Sequence, residues 1–167
     1  MARVIAAALV LFFSLFSIAQ ASARNFAFPS GFRTEEIATN GTRLHVRIGG
    51  AGPAVLLIHG YGDTGDMWIP LAANLMRDHL VIVPDLRGMG LSAVATAGFT
   101  KKNQAEDLAG VLDHLSIERA DVVGHDIGNM VAFAFAEAHP ERTTRLVMMD
   151  APVESAELSA VEADHGA

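Results

Sequence analysis

Three short apolar runs limit what this chain can fold into: residues 54–58 (Ala-Val-Leu-Leu-Ile), 80–83 (Leu-Val-Ile-Val) and 120–123 (Ala-Asp-Val-Val). Runs of this length without strict alternation suit inner strands of a parallel sheet, because helices cover both of their faces. Between and after them lie stretches with helical character: Pro70–Leu75 with proline in its first turn, Lys102–Leu115 with Leu108, Val111, Leu112 and Leu115 on one face, and Ile127–Ala138 ended by His139-Pro140. Thr144–Met149 reads as a further strand. Upstream, Thr34–Ala38 and Arg43–Ile48 flank Asn40-Gly41, a strong hairpin signal, and Leu44, Val46 and Ile48 alternate as a half-buried strand does. Alternating strand and helix patterns predict an α/β fold with a mostly parallel, doubly wound sheet of about six strands.

A chain of 167 residues with 51% hydrophobic and 19% charged residues fits one domain, but part of its apolarity lies outside the sheet pattern. Residues 1–23 carry an early charge at Arg3, an apolar run from Val4 to Ile18 and a small-residue end, Ala21-Ser22-Ala23. This is the pattern of an export signal, with cleavage expected after Ala23 and a periplasmic or secreted product. The run is short against the ~20 residues that a spanning helix needs. Residues 24–153 are then the folded body, and the small, acidic stretch 154–167 reads as a disordered tail. The chain has no cysteine, so thiol redox chemistry and disulfide stapling are excluded. A formal net charge of −7 without a Lys/Arg cluster argues against nucleic acid or an anionic membrane surface as partner. Asn40-Gly41-Thr42 spells a glycosylation acceptor, but the hairpin turn accounts for it.

Chemistry concentrates at Gly124-His125-Asp126-Ile127-Gly128, which joins the third inner run to a helix. A sharp strand-to-helix turn that presents one side chain at the sheet edge leaves no room for a Cβ on its flanks, which explains both glycines. Asp126 is the expected nucleophile. The competing reading is an ordinary turn whose aspartate caps the following helix. A carboxylate is ionised at neutral pH without a neighbouring base and can attack a saturated carbon directly.

Two more motifs stand in sequence order before it: His59-Gly60-Tyr61-Gly62 after the run 54–58, and Asp85-Leu86-Arg87-Gly88-Met89-Gly90-Leu91-Ser92 after the run 80–83. Together the three resemble the α/β-hydrolase superfamily over about residues 29–153. An aspartate where esterases place serine is similar to the epoxide hydrolase and hydrolytic dehalogenase branch. The resemblance implies an α/β-hydrolase fold, of which this chain would hold the N-terminal part. It also implies a small-molecule substrate, an epoxide or haloalkane, and an alkyl ester on Asp126 that water then hydrolyses. The backbone N–H groups of Tyr61 and Ile127 would stabilise the oxyanion of that second step, and His59, Gly60, Gly124, His125 and Gly128 would support the elbow and its facing loop. Asp150, 24 residues after the nucleophile, would be the acid partner of a catalytic histidine, or else a strand-end turn residue. Relatives continue into a helical cap and return with that histidine, so the chain as given is expected to reach the ester without turning over.

Departures from the family narrow the substrate. Haloalkane dehalogenases usually have Trp after the nucleophile and fluoroacetate enzymes Arg, whereas this chain has Ile127; Tyr61 stands where an asparagine often holds halide. Both favour epoxide opening over dehalogenation of haloalkanes or haloacids. Gly62, where many relatives carry Pro, loosens the oxyanion loop. A non-catalytic remnant is the remaining alternative. The other histidines (His45, His79, His114, His139, His165) are scattered without zinc-binding spacing, and the Asp85–Ser92 loop lacks the Gly-Lys-Ser/Thr ending of a phosphate loop. No metal or cofactor is therefore expected, and the Asp85–Ser92 loop is expected to shape a pocket wall.

Overall fold

The computed structural model describes residues 27–150. The expected export signal and acidic tail lie outside them. Six strands form one sheet: β1 (Phe32–Thr39), β2 (Thr42–Gly50), β3 (Ala54–Ile58), β4 (Leu80–Pro84), β5 (Ala120–His125) and β6 (Thr143–Met149), in the order β1-β2-β4-β3-β5-β6. The β1–β2 and β2–β4 pairs are antiparallel, and β4–β3, β3–β5 and β5–β6 are parallel. Asn40 and Gly41 close the hairpin with φ of 41° and 73°, the left-handed values that a tight two-residue turn requires. The helices are α1 (Ile69–Leu75), α2 (Lys101–His114) and α3 (Ile127–Ala138). A 3-10 turn, Gly65–Trp68, leads into α1; it lies in a segment that reads as loop, and Thr64 starts it by accepting a hydrogen bond from the Asp66 N–H.

The sheet is covered on both faces because its inner strands are apolar on both. Val55 and Leu57 of β3, with Val81 and Val83 of β4, pack against Trp68 and Ala72. Leu56, Ile58 and Ile82 face the other way, onto Leu108, Val111 and Leu112 of α2 and Val131 and Phe135 of α3. Element limits agree with the sequence expectation to within two residues, and those of β3 and α3 coincide with it. β5 is extended through Gly124 and His125 because these pair with Met148 and Met149 of β6. Among the described residues β6 has a sheet neighbour on one side only, and Leu146, Val147 and Met149 are exposed along it.

In the Asp85–Ser92 loop the two charged side chains, Asp85 and Arg87, turn inward, where they fasten elements together. Asp85 has no exposed surface and accepts hydrogen bonds from Arg47 (2.8 Å) and from the N–H groups of Gly65 (2.7 Å) and Leu91 (2.9 Å). Burial alone would raise its carboxyl, but these hydrogen bonds and the Arg47 charge outweigh it and hold the group below the ordinary aspartate value. Arg87 pairs with the equally buried Asp107 of α2 and donates to the Asn40 carbonyl (3.1 Å), so the hairpin turn, the loop and α2 are joined at one point. A buried ion pair contributes little net stability when intact, but breaking one side strands the other charge. Asp85→Ala is therefore expected to lower unfolding free energy by about 3–5 kcal/mol in urea titration. Pairing it with Arg47→Met should restore part of the loss, because the uncompensated cation is then gone.

Candidate active site

The site is built where β5 passes into α3. Asp126 has φ 50° and ψ −123°, a conformation that a residue with a Cβ rarely adopts. Strain of this kind costs on the order of 1–3 kcal/mol and persists only where surrounding structure enforces it. Here the enforcement is backbone packed against backbone. A Cβ on Gly128 would lie 2.5 Å from the Ile58 carbonyl oxygen, one on Gly124 2.6 Å from the Gly128 oxygen, and one on Gly60 2.9 Å from the Asp126 Cβ. None of the three positions can hold a larger residue without moving the chain.

The turn throws the Asp126 side chain off the helix. It occupies the N-cap position of α3 yet makes no capping hydrogen bond, which sets aside the reading of an ordinary helix cap. Its Oδ2 instead accepts from the Tyr61 N–H at 2.9 Å, across the gap between the β3 loop and the β5 turn. This hydrogen bond is the largest influence holding the carboxyl below its ordinary range; the adjacent Ile127 N–H and the charges of His125 and Lys101 act in the same direction. The result is a partly exposed, ionised carboxylate with Oδ2 on the Tyr61 N–H and no ion-pair partner among the described residues.

The two histidines beside the site have different environments. His59 is fully buried; its Nδ1 faces the Gly60 carbonyl at 2.8 Å, and its Nε2 accepts from the Leu86 N–H at 2.9 Å. Both ring nitrogens are therefore used to tie the β3 loop to the β4 loop. The hydrogen bonds fix one neutral tautomer, and burial depresses the imidazole pKa. His125 stands edge-on to Trp68, with its Nδ1 buried and without a partner, and its Nε2 lies 3.7 Å from the Asp150 carboxylate. Asp150 is highly exposed and has φ 54°. It is brought there by Asn129 of α3, whose amide donates to the Met149 carbonyl (2.8 Å) and accepts from the Met149 N–H (3.0 Å), while the Asp126 N–H donates to the same carbonyl (3.2 Å).

Asp126, Asp150, Tyr61, Ile127, His59, Gly60, Gly124, His125 and Gly128 thus all gather at the carboxyl edge of the parallel strands. Sequence reading missed Asn129, whose only signal was a polar residue on an apolar helix. Gly62 has φ 75° and open space around it, so a glycine is accommodated there without close contact.

A family model for the alpha/beta hydrolase fold matches residues 53–166, and the chain belongs to that family. It is 41% identical over 125 residues to an epoxide hydrolase of Caballeronia sordidicola, covering 73% of this chain and 38% of the relative. It is 38% identical over 118 residues to a 2-hydroxymuconate semialdehyde hydrolase of Pseudomonas sp. (strain CF600), covering 68% and 42%. The solved epoxide hydrolase CorEH superposes with a TM-score of 0.71 at 33% identity, over 72% of this chain and 42% of that one. The chain therefore spans about two fifths of the length of these relatives. Its lineage is that of the alpha/beta hydrolase fold, and its relatives include epoxide hydrolases.

Burial of His59 has a consequence for stability. Its folded pKa lies below the unfolded value of about 6.5. Above that pH both states are neutral and nothing is lost; as pH falls below it, the unfolded chain takes up a proton that the folded one refuses, and stability declines. Asp85, with a lowered carboxyl, contributes its own loss only below about 3.8. Urea midpoints should fall between pH 7 and pH 5 in the wild type, with a shallower slope in His59→Gln. Separately, Asn129→Ala should cost about 1–3 kcal/mol, since it leaves the Met149 N–H and carbonyl without their partners.

Proposed function

We propose that this chain carries the nucleophile half of an epoxide-opening α/β hydrolase. Asp126 attacks a saturated epoxide carbon, the ring C–O bond breaks, and an alkyl ester forms on the carboxyl. The observation that carries the reading is the Asp126 carboxylate itself: ionised, lifted off the helix by a strained turn, partly exposed, and hydrogen-bonded through Oδ2 to the Tyr61 N–H. In the ester-hydrolysis step the same Tyr61 and Ile127 donors would meet the oxyanion, an arrangement typically contributing ~3 kcal/mol per donor. Asp150 is proposed as the acid partner of the base for that step.

No histidine among the described residues is poised to activate water against the ester. His59 has both nitrogens engaged, His125 turns to Asp150, and His45, His79, His114 and His139 face carboxylates away from the site. The described residues thus carry the groups for the alkylation step. Export to the periplasm or the medium, with removal of residues 1–23, belongs to the same proposal. Incubating the protein with 1,2-epoxybutane and mapping peptides by mass spectrometry should place a single adduct on Asp126, absent in Asp126→Asn. A folded protein that takes no adduct from the epoxide or from 1-iodobutane is not such a hydrolase.

A further inference from the structure

A nucleophile reacts only as well as its oxygen is aimed, and a misplacement of about 1 Å can cost about 100-fold in rate. At Asp126 the main chain sets the aim, since φ 50° sends the side chain to the Tyr61 N–H instead of over the end of α3. Whatever holds that conformation is therefore part of the chemistry. On one side the β3 loop presses on the turn through Gly60 and Gly128. The other side faces the end of β6, and there one side chain makes the connection.

Asn129 lies in the first turn of α3 and is 3% exposed. Its own N–H donates to the Asp126 carbonyl at 3.0 Å. The Asp126 N–H donates to the Met149 carbonyl at 3.2 Å, and the Asn129 Nδ2 donates to the same carbonyl at 2.8 Å, while its Oδ1 accepts from the Met149 N–H at 3.0 Å. Both polar groups of the Asp126 main chain are thus fixed by one residue, the carbonyl directly and the N–H through a shared oxygen. The fit leaves little slack: a Cβ on Gly124 would come within 2.8 Å of the Asn129 Cα. The other buried side chains of α3 are apolar, among them Val131, Ala134 and Phe135. A buried amide on such a helix is costly unless its donor and acceptor are both matched, and here both are matched by the residue that also receives the Asp126 N–H.

We propose that Asn129 is a positioning residue for the attack by Asp126: it clamps the end of β6 to the elbow and so keeps the aspartate in the left-handed conformation from which its carboxylate meets the Tyr61 N–H. The inference deepens the proposed function and rests on Asp126 being the nucleophile. Asn129 makes no hydrogen bond to the carboxylate and acts through the main chain alone. Without the clamp the strain of the turn is free to relax. The conformation open to the aspartate is then an ordinary helix cap, with its carboxylate turned onto N–H groups of the first turn of α3 and away from Tyr61. A site held only by its nearest groups loses its aim when the supporting hydrogen bonds go.

Two readouts on the full chain test this in wild type, Asn129→Ala and Asn129→Leu, the second of which keeps the volume but none of the hydrogen bonds. Leu112→Ala, which opens a cavity in the last turn of α2, controls for general loosening. The first readout is the rate of adduct formation on Asp126 with 1,2-epoxybutane, followed by mass spectrometry and normalised to the folded fraction from circular dichroism. The second is the NMR shift of the Tyr61 amide proton, which a hydrogen bond to a carboxylate draws downfield. Both Asn129 variants should slow the adduct by about 10-fold or more and move the Tyr61 resonance upfield, whereas Leu112→Ala should change neither beyond about twofold in rate. A Tyr61 resonance and a rate that stay at wild-type values in the folded Asn129 variants overturn the assignment, as does an equal slowing in Leu112→Ala. Absence of any adduct in wild type removes the nucleophile, and the positioning of its attack with it; a Tyr61 resonance that still moves in the Asn129 variants would show that the failure lies in that reading and not in the clamp.

Discussion

The contact on which this structure turns is between backbones: the β3 loop at Ile58, His59 and Gly60 lies directly against the β5–α3 turn at Gly124, Asp126 and Gly128. With Cβ atoms excluded on both sides, the two segments approach closely enough for the Tyr61 N–H to reach the Asp126 carboxylate. The same approach holds Asp126 at positive φ, so its side chain leaves the helix axis instead of capping it. Geometry and charge state therefore have one origin. The packing that strains the residue also supplies the donors that keep it ionised.

Around this contact, buried polar groups set position more than they add stability. Arg47 and Asp85 link β2 to the end of β4, Arg87 and Asp107 link the β4 loop to α2, and His59 bridges the two loops through both ring nitrogens. Each charged group is costly to bury and offers little net gain when paired. Each also permits few arrangements, because a misplaced loop would strand a charge. The loops that form the site are thereby held in one register although they lack regular secondary structure.

The site stands where α/β sheets commonly place theirs, outside the carboxyl ends of parallel strands, where successive loops converge. The loop after β3 contributes the Tyr61 donor, the turn after β5 the Asp126 carboxylate, and the end of β6 the Asp150 carboxylate. Asn129 joins two of these contributions, since one amide binds both polar groups of Met149 and so fixes the end of β6 beside the elbow. The spread of activities among relatives of similar identity, an epoxide hydrolase and a semialdehyde hydrolase, shows that overall likeness does not choose the reaction. The groups at this edge do.

Much of this was legible in the residue order. Inner strands were marked by apolar runs, the hairpin by Asn40-Gly41, and the elbow by its paired glycines, because each reflects a local rule of chain conformation or burial. The 3-10 turn at Gly65–Trp68 and the last two residues of β5 were not legible, since a side-chain cap and pairing with β6 decide them. The inward turn of Asp85 and Arg87 was equally hidden: their partners Arg47 and Asp107 lie 38 and 20 residues away, and nothing local joins them. Sequence alone determined that an aspartate would stand in a glycine-flanked bend between strand and helix. Only the tertiary structure decided what that aspartate touches, because the Tyr61 donor reaches it from a segment that meets it solely through packing of the sheet and its helices.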